Sequence, residues 1–318
     1  MKASQVGLLC LKFAVTVALL WFVVDKVDLA PVVQKLRTMQ LLWAIAAVTA
    51  LTAQLLLAGI RWHYVGQLLS AEINLRLALR LVFVGQFFNQ VLPTSVGGDG
   101  VRAWLVSREG IPVRRAIVSI ICDRIVGLII LTGIITVTLP MLLLVGGAQI
   151  PSIDFIAIVI PVMTLLGLSV LQLFGAKLAV QFLKFPLSRP IGILIRDLRV
   201  ILFTSVKSIW IIGLTVLVQT TVVLGVYLCA RALNIEFGII HVLMLPLILL
   251  ICMVPISFAG WGVRESVMIA GLGFVGIHTA DALAISVSFG VAQIFVGLPG
   301  AVMAVMSNYQ RKTVVLTQ

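Results

Sequence analysis

Hydrophobic positions fall in long unbroken blocks along this chain, without the two-residue alternation of a half-buried strand. Leu8–Val24, Leu41–Ile60, Arg115–Val145, Ile153–Gly175, Ile209–Leu233 and Asp281–Met306 read as membrane-spanning helices, each near or above the roughly 20 residues a span requires. The last carries Gly290, Gly297 and Gly300, which suit close helix packing. Leu81–Leu92 and Ile239–Val254 behave differently: each runs straight into Pro and Gly, with only a short apolar piece after it. Short apolar runs that end in helix breakers fit re-entrant hairpins better than spans.

Those breakers are the same phrase written twice, half a chain apart. Pro93-Thr94-Ser95-Val96-Gly97-Gly98-Asp99-Gly100-Val101-Arg102 matches Pro255-Ile256-Ser257-Phe258-Ala259-Gly260-Trp261-Gly262-Val263-Arg264 as P-x-S-x-[GA]-G-x-G-V-R. One interrupted apolar segment in each half points to the central site of a membrane transporter. The expected organisation is a single transmembrane domain over 1–318, with repeat halves of about 1–150 and 151–318. Two connectors are amphipathic. After Pro190, Ile191, Leu194, Ile195 and Leu198 share a helical face opposite Arg196, Asp197 and Arg199, as in a helix lying on the anionic leaflet or an ordinary elbow. Over Asp28–Met39, Leu29, Val32, Val33 and Leu36 align, with Asp28 as a cap.

Composition agrees. The chain is 61% hydrophobic and 11% charged, too apolar for a soluble core, so it is read as a polytopic integral membrane protein of all-α class. The net charge of +12 is explained by positive-inside loops and not by nucleic acid. With both termini cytoplasmic and both hairpins returning to the side they entered, most basic residues, among them Arg61, Arg102, Arg108, Arg114, Arg115, Arg189 and Arg196, fall on the cytoplasmic side of the inner membrane. Lys26, Lys35, Arg37, Arg231 and Arg264 fall outside. Three spans then separate the hairpins, an odd number, so the repeat is inverted. The tryptophans, Trp62 included, are read mostly as headgroup-level markers. The cysteines lack metal spacing, and the histidines are too scattered for a metal site.

The motifs suit phosphate. Gly97, Gly98 and Gly100, and later Gly260 and Gly262, permit tight turns and close approach of a ligand. Asp99 is expected to cap a helix starting near Gly100, placing Arg102 in its first turn. Free N–H groups and a guanidinium fork at such a helix start favour an anionic headgroup. The second copy has Trp261 in place of Asp99, and Glu265 follows Arg264. The substrate-binding set is therefore Asn89, Pro93, Ser95, Gly97, Gly98, Asp99, Arg102, Ser257, Gly260, Gly262, Arg264 and Glu265, joined by Asp123 and Arg124 inside the third span. The last two either brace the first hairpin or touch substrate.

The block Gln86–Arg102, then Arg108-Glu109-Gly110 and Asp123-Arg124-Ile125-Val126-Gly127, and later Gly260-Trp261-Gly262-Val263-Arg264-Glu265, resembles the transmembrane domain of the lysylphosphatidylglycerol synthase family. In the family's multiple peptide resistance factors that domain flips aminoacylated phosphatidylglycerol between leaflets, while a separate soluble domain makes the lipid. This chain stops at Gln318, so it is expected to be a stand-alone member. The resemblance implies a lipid translocase (flippase) for phospholipid or another phosphate-bearing lipid. Stand-alone relatives are linked to polyprenyl-phosphate glycans and hopanoid-associated membranes. The alternatives are an integral-membrane enzyme or an accessory scaffold acting on such lipids. With only 11 acidic residues and no paired metal motif, the supply of catalytic groups is thin. No P-loop pattern is present and no cofactor is expected, which leaves downhill exchange or proton coupling through Asp99, Asp123 or Glu265. Expected partners are membrane lipids, a separate lipid-synthesising enzyme and further copies of the chain.

Overall fold

The computed structural model describes residues 16–18, 21, 27, 29–92, 97–146, 151–254 and 257–315. The expected first span, Leu8–Val24, lies almost wholly outside them, as do Pro93, Ser95 and the cap Asp28. Among the described residues the chain is helical throughout, with no strand. In order come α1 (Leu29–Arg37), α2 (Leu41–Leu68), α3 (Leu75–Val91), α4 (Gly97–Arg108), α5 (Val113–Gly146), α6 (Pro151–Leu173), α7 (Gly175–Leu183), α8 (Arg189–Phe203), α9 (Val206–Ala232), α10 (Ile239–Cys252), α11 (Val263–Phe274) and α12 (Thr279–Val315).

Five of these, α2, α5, α6, α9 and α12, are long and apolar enough to cross a membrane. They match the five remaining expected spans. The helices around the repeated motif are shorter. α3 and α4 have 17 and 12 residues, and α10 and α11 have 14 and 12. At about 1.5 Å per residue they reach roughly 18–26 Å, less than the ~30 Å of a hydrocarbon core.

The chain divides into two compact units. One comprises Met1–Leu55, Leu79–Arg102 and Thr221–Gln318; the other comprises Leu56–Ala78 and Ala103–Thr220. In the first, glycines set how closely helices approach. A Cβ on Gly98 would run into the Gly85 carbonyl, so α4 folds back along α3 with no room for a side chain. A Cβ on Gly300 would strike the Phe83 carbonyl, and one on Gly297 would lie 3.3 Å from the Phe87 Cα, which brings α12 directly onto α3. Gly271 meets Ile248 in the same way, packing α11 on α10. The close-packing role expected of Gly290, Gly297 and Gly300 is what the structure shows. α1 is held to α12 by Lys35, whose ammonium lies 2.6 Å from Asp281. Val32 of α1 is buried, whereas Leu29 and Val33 of the expected apolar face are exposed.

In the second unit, Val65, Cys122, Val126, Leu198, Ile201, Leu202 and Ile211 form one core. The polar and apolar faces expected of α8 are only partly kept. Leu198 is buried as expected, but so is Asp197 from the supposed polar face, while Ile191 from the apolar face is half exposed. The cause is α7. Gly192 of α8 lies so near Ala179 and Leu183 that a Cβ there would be 2.9 Å from the Ala179 carbonyl. The two helices make a tight hairpin, and α8 turns its Ile201–Leu202 end into the core.

Candidate functional site

The first motif places its residues differently from expectation. α4 starts at Gly97, not near Gly100, so Asp99 sits inside the first turn and Arg102 one turn further on. Gly98 and Gly100 keep ordinary helical backbone, so the need for glycine at 98 is close approach to α3 and not a left-handed turn. α3 contributes to the helix start, where the Asn89 side-chain oxygen accepts from the Gly98 N–H at 2.8 Å. Asp99 accepts from Arg102 Nη1 at 3.1 Å, with both residues about 95% buried. The aliphatic part of Arg102 lies flat over Gly85, where a Cβ would come within 2.6 Å of its Cδ.

The second motif meets the turn expectation. Gly260 and Gly262 have φ of +83° and +86°, and Ala259 adopts +50° where the first copy has Gly97. That backbone ends in Gly262, and α11 begins at Val263, so Arg264 lies in the first turn as expected. Glu265 closes the helix start: its Oε2 accepts from the Gly262 N–H at 2.6 Å. Its Oε1 accepts from Arg264 Nη2 at 2.7 Å, from Arg264 Nε at 3.1 Å and from Ser286 Oγ of α12 at 3.2 Å. The Arg264 guanidinium is 4.5 Å from the Trp261 ring centroid and presses on Gly290, where a Cβ would collide with it. Ser257 is 1% exposed, and its hydroxyl has no hydrogen-bond partner among the described residues.

Each repeated arginine is therefore buried and neutralised by an acid of its own helix, Asp99 three residues before or Glu265 one residue after. Each also lies against a bare glycine of a neighbouring helix, Gly85 of α3 or Gly290 of α12. These two helices are joined by Gln86 Nε2 donating to Gln293 Oε1 at 2.6 Å. Gln86 follows Gly85 directly and Gln293 is one turn from Gly290, so a continuous line of contacts runs from one arginine to the other. Gln86 lay in the block of resemblance, without a role.

Asp123 and Arg124 part company. Asp123 is buried, and its partner is Arg61 of α2: Nε and Nη2 donate to its two oxygens at 2.8 and 2.9 Å. Arg124 points to the exposed side of α5. Arg61 is thus not a loop charge. α2 continues past the expected end at Ile60 to Leu68, and Arg61 is only 6% exposed. Trp62 beside it is fully buried within the protein, with its indole N–H donating to Ser119 Oγ at 3.3 Å. A basic residue at the end of an apolar run reads as a flank; nothing local tells it from a buried ion pair.

The sequence pattern of the lysylphosphatidylglycerol synthase TM region matches residues 9–300. The chain belongs to this family. It is a helical membrane protein of the lysylphosphatidylglycerol synthase transmembrane class, and both arginine motifs fall inside the matched region. No curated protein and no solved structure matches the chain.

Proposed function

We propose that this protein is a lipid translocase that carries a phosphate-bearing lipid between the leaflets of the cell membrane. In this reading α3–α4 and α10–α11 are two re-entrant hairpins of an inverted repeat, and the headgroup passes between their arginines. The observation that carries it is the pair of buried Arg–carboxylate units, one per repeated motif, linked through Gln86 and Gln293. A buried guanidinium needs an anionic partner. Asp99 and Glu265 supply one, and a phosphodiester can accept from the same guanidinium N–H groups through two oxygens. When Arg264 turns to a phosphate, Glu265 keeps two donors, the Gly262 N–H and the Ser286 hydroxyl. The family membership and the short paired helices support this reading over an enzyme or a scaffold.

The test is leaflet-resolved transport of labelled phospholipid in liposomes containing only this protein. Arg102→Ala and Arg264→Ala, folded and inserted, should each slow transport roughly ten- to a hundredfold, the worth of one charge-assisted hydrogen bond. Lysine at either position should restore only part of the rate, because it lacks the fork. Wild-type rates in both alanine variants would overturn the reading.

A further inference from the structure

In the second unit, the starts of α5 and α8 line a cavity of ≈ 790 Å³ that includes no residue of the repeated motifs. Its wall carries four guanidinium groups, Arg114, Arg115, Arg189 and Arg196, and a single carboxylate, Asp197. Asp197 is already engaged by Arg196 at 2.8 Å, and Arg115 donates to the neutral Ser70 carbonyl at 3.0 Å. The side chains of Arg114 and Arg189 make no ion pair among the described residues. The cavity thus holds three positive charges that the protein does not neutralise. Its size is within the ~300–1,000 Å³ of ordinary ligand sites.

A second hollow of ≈ 630 Å³ adjoins it, sharing Arg114, Val118 and Ile193. Apart from Arg114 it is apolar, with Ile117 and Ile121 of α5 facing Ile191 and Leu194 of α8. A cationic cup opening into an apolar groove on a membrane protein matches one kind of molecule. We infer that this is a binding site for an anionic phospholipid, with its phosphate among Arg114, Arg115 and Arg189 and an acyl chain along Ile117, Ile121 and Leu194. A soluble phosphate compound would leave the groove empty, and a zwitterionic lipid would leave the charge excess uncompensated. The exposed half of α8, which looked interfacial in sequence, forms one wall of the groove. The inference concerns binding alone and stands whether or not the protein translocates lipid.

The experiment measures lipid retained by purified full-length protein, by native mass spectrometry, after equilibration with equal phosphatidylglycerol and phosphatidylcholine. Thermal unfolding with each lipid, and with inorganic phosphate alone, is recorded in parallel. Phosphatidylglycerol should be preferred and should raise the unfolding temperature, with no such rise from phosphate. The double variant R114Q/R189Q should weaken phosphatidylglycerol binding about fivefold per arginine removed. K177Q/K184Q, which removes the same charge from exposed positions outside the cavity, should not. Lipid held at the repeated motifs would be unaffected by either change, so the loss reports on this site. If R114Q/R189Q fails to fold, Ile121→Trp, which fills the groove and keeps every charge, must lower retention instead. Equal retention of both lipids, unchanged preference in the variants that fold, equal loss in K177Q/K184Q, or protection by phosphate alone would each overturn the inference.

Discussion

Replacing Glu265 by Gln is the sharpest perturbation of the second motif, because it changes charge without changing shape. Both oxygens of Glu265 face donors, Oε2 the Gly262 N–H and Oε1 Arg264 and Ser286. An amide has only one oxygen, so whichever way Gln is turned its NH₂ group confronts a donor. Arg264 would also remain as a buried cation, 8% exposed, without its counter-ion. Breaking one side of a buried pair costs roughly 3–5 kcal/mol, against about 0.5–1.5 kcal/mol for a single neutral hydrogen bond as in Ser286→Ala. The double change Arg264→Met/Glu265→Gln removes both charges, and Gln can then accept from Gly262 and donate to Ser286. Its loss should be well below the sum of the two single losses, with a coupling of at least ~2 kcal/mol. Denaturant unfolding of the purified protein in detergent gives all three values. A double variant as unstable as the summed singles would show that Arg264 does not depend on Glu265, and the argument for a carboxylate placeholder would go with it.

Three further outcomes are expected. Gly300→Ala should destabilise by about 1–3 kcal/mol, since its Cβ would meet the Phe83 backbone, whereas Gly273→Ala, with open space around it, should be neutral or better in the same thermal-unfolding assay. Arg61→Met and Asp123→Asn should each lower stability and prove non-additive when combined, while Arg124→Gln combined with Asp123→Asn should be additive; the reverse pattern would displace Arg61 as the partner. Single cysteines at Arg108 and His278 should label from opposite faces of the membrane, and labelling of both from one side would end the inverted-repeat reading.

The long apolar blocks made five helices legible because a span needs length and composition and little else. The repeated motif was equally legible as a break in helical sequence. What the sequence could not display is which surfaces those breaks press together. Gly98 was read as a turn former, but its backbone is helical and its lack of a side chain serves contact with Gly85. Asp99 was read as a cap because Asp favours helix starts. A further partner of that helix start, Asn89, comes from the preceding helix, and local pattern cannot show that. Arg61 was misplaced for a similar reason, since its partner Asp123 is distant in sequence.

The two copies of the motif solve one problem in different ways, and the difference bears on function. A guanidinium in an apolar protein interior is tolerable only when paired, and each copy carries its own acid at helical reach. In the first, Asp99 lies within α4 and the helix start is closed from outside by Asn89, so counter-ion and cap are separate groups. In the second, Glu265 does both jobs at once, and Ser286 of α12 shares its oxygen. Moving Glu265 therefore frees the Gly262 N–H and Arg264 together, whereas moving Asp99 leaves the Asn89 bond to the Gly98 N–H in place. An anion arriving at the second motif meets helix N–H groups and a guanidinium that become available in one step. At the first it meets the guanidinium alone. Under the proposed translocase reading, this inequality would let one end of the path hold the headgroup more firmly than the other. On that proposal the second motif would be the tighter site, and Glu265→Gln should slow leaflet-resolved lipid transport more than Asp99→Asn; an equal or reversed effect would refute it.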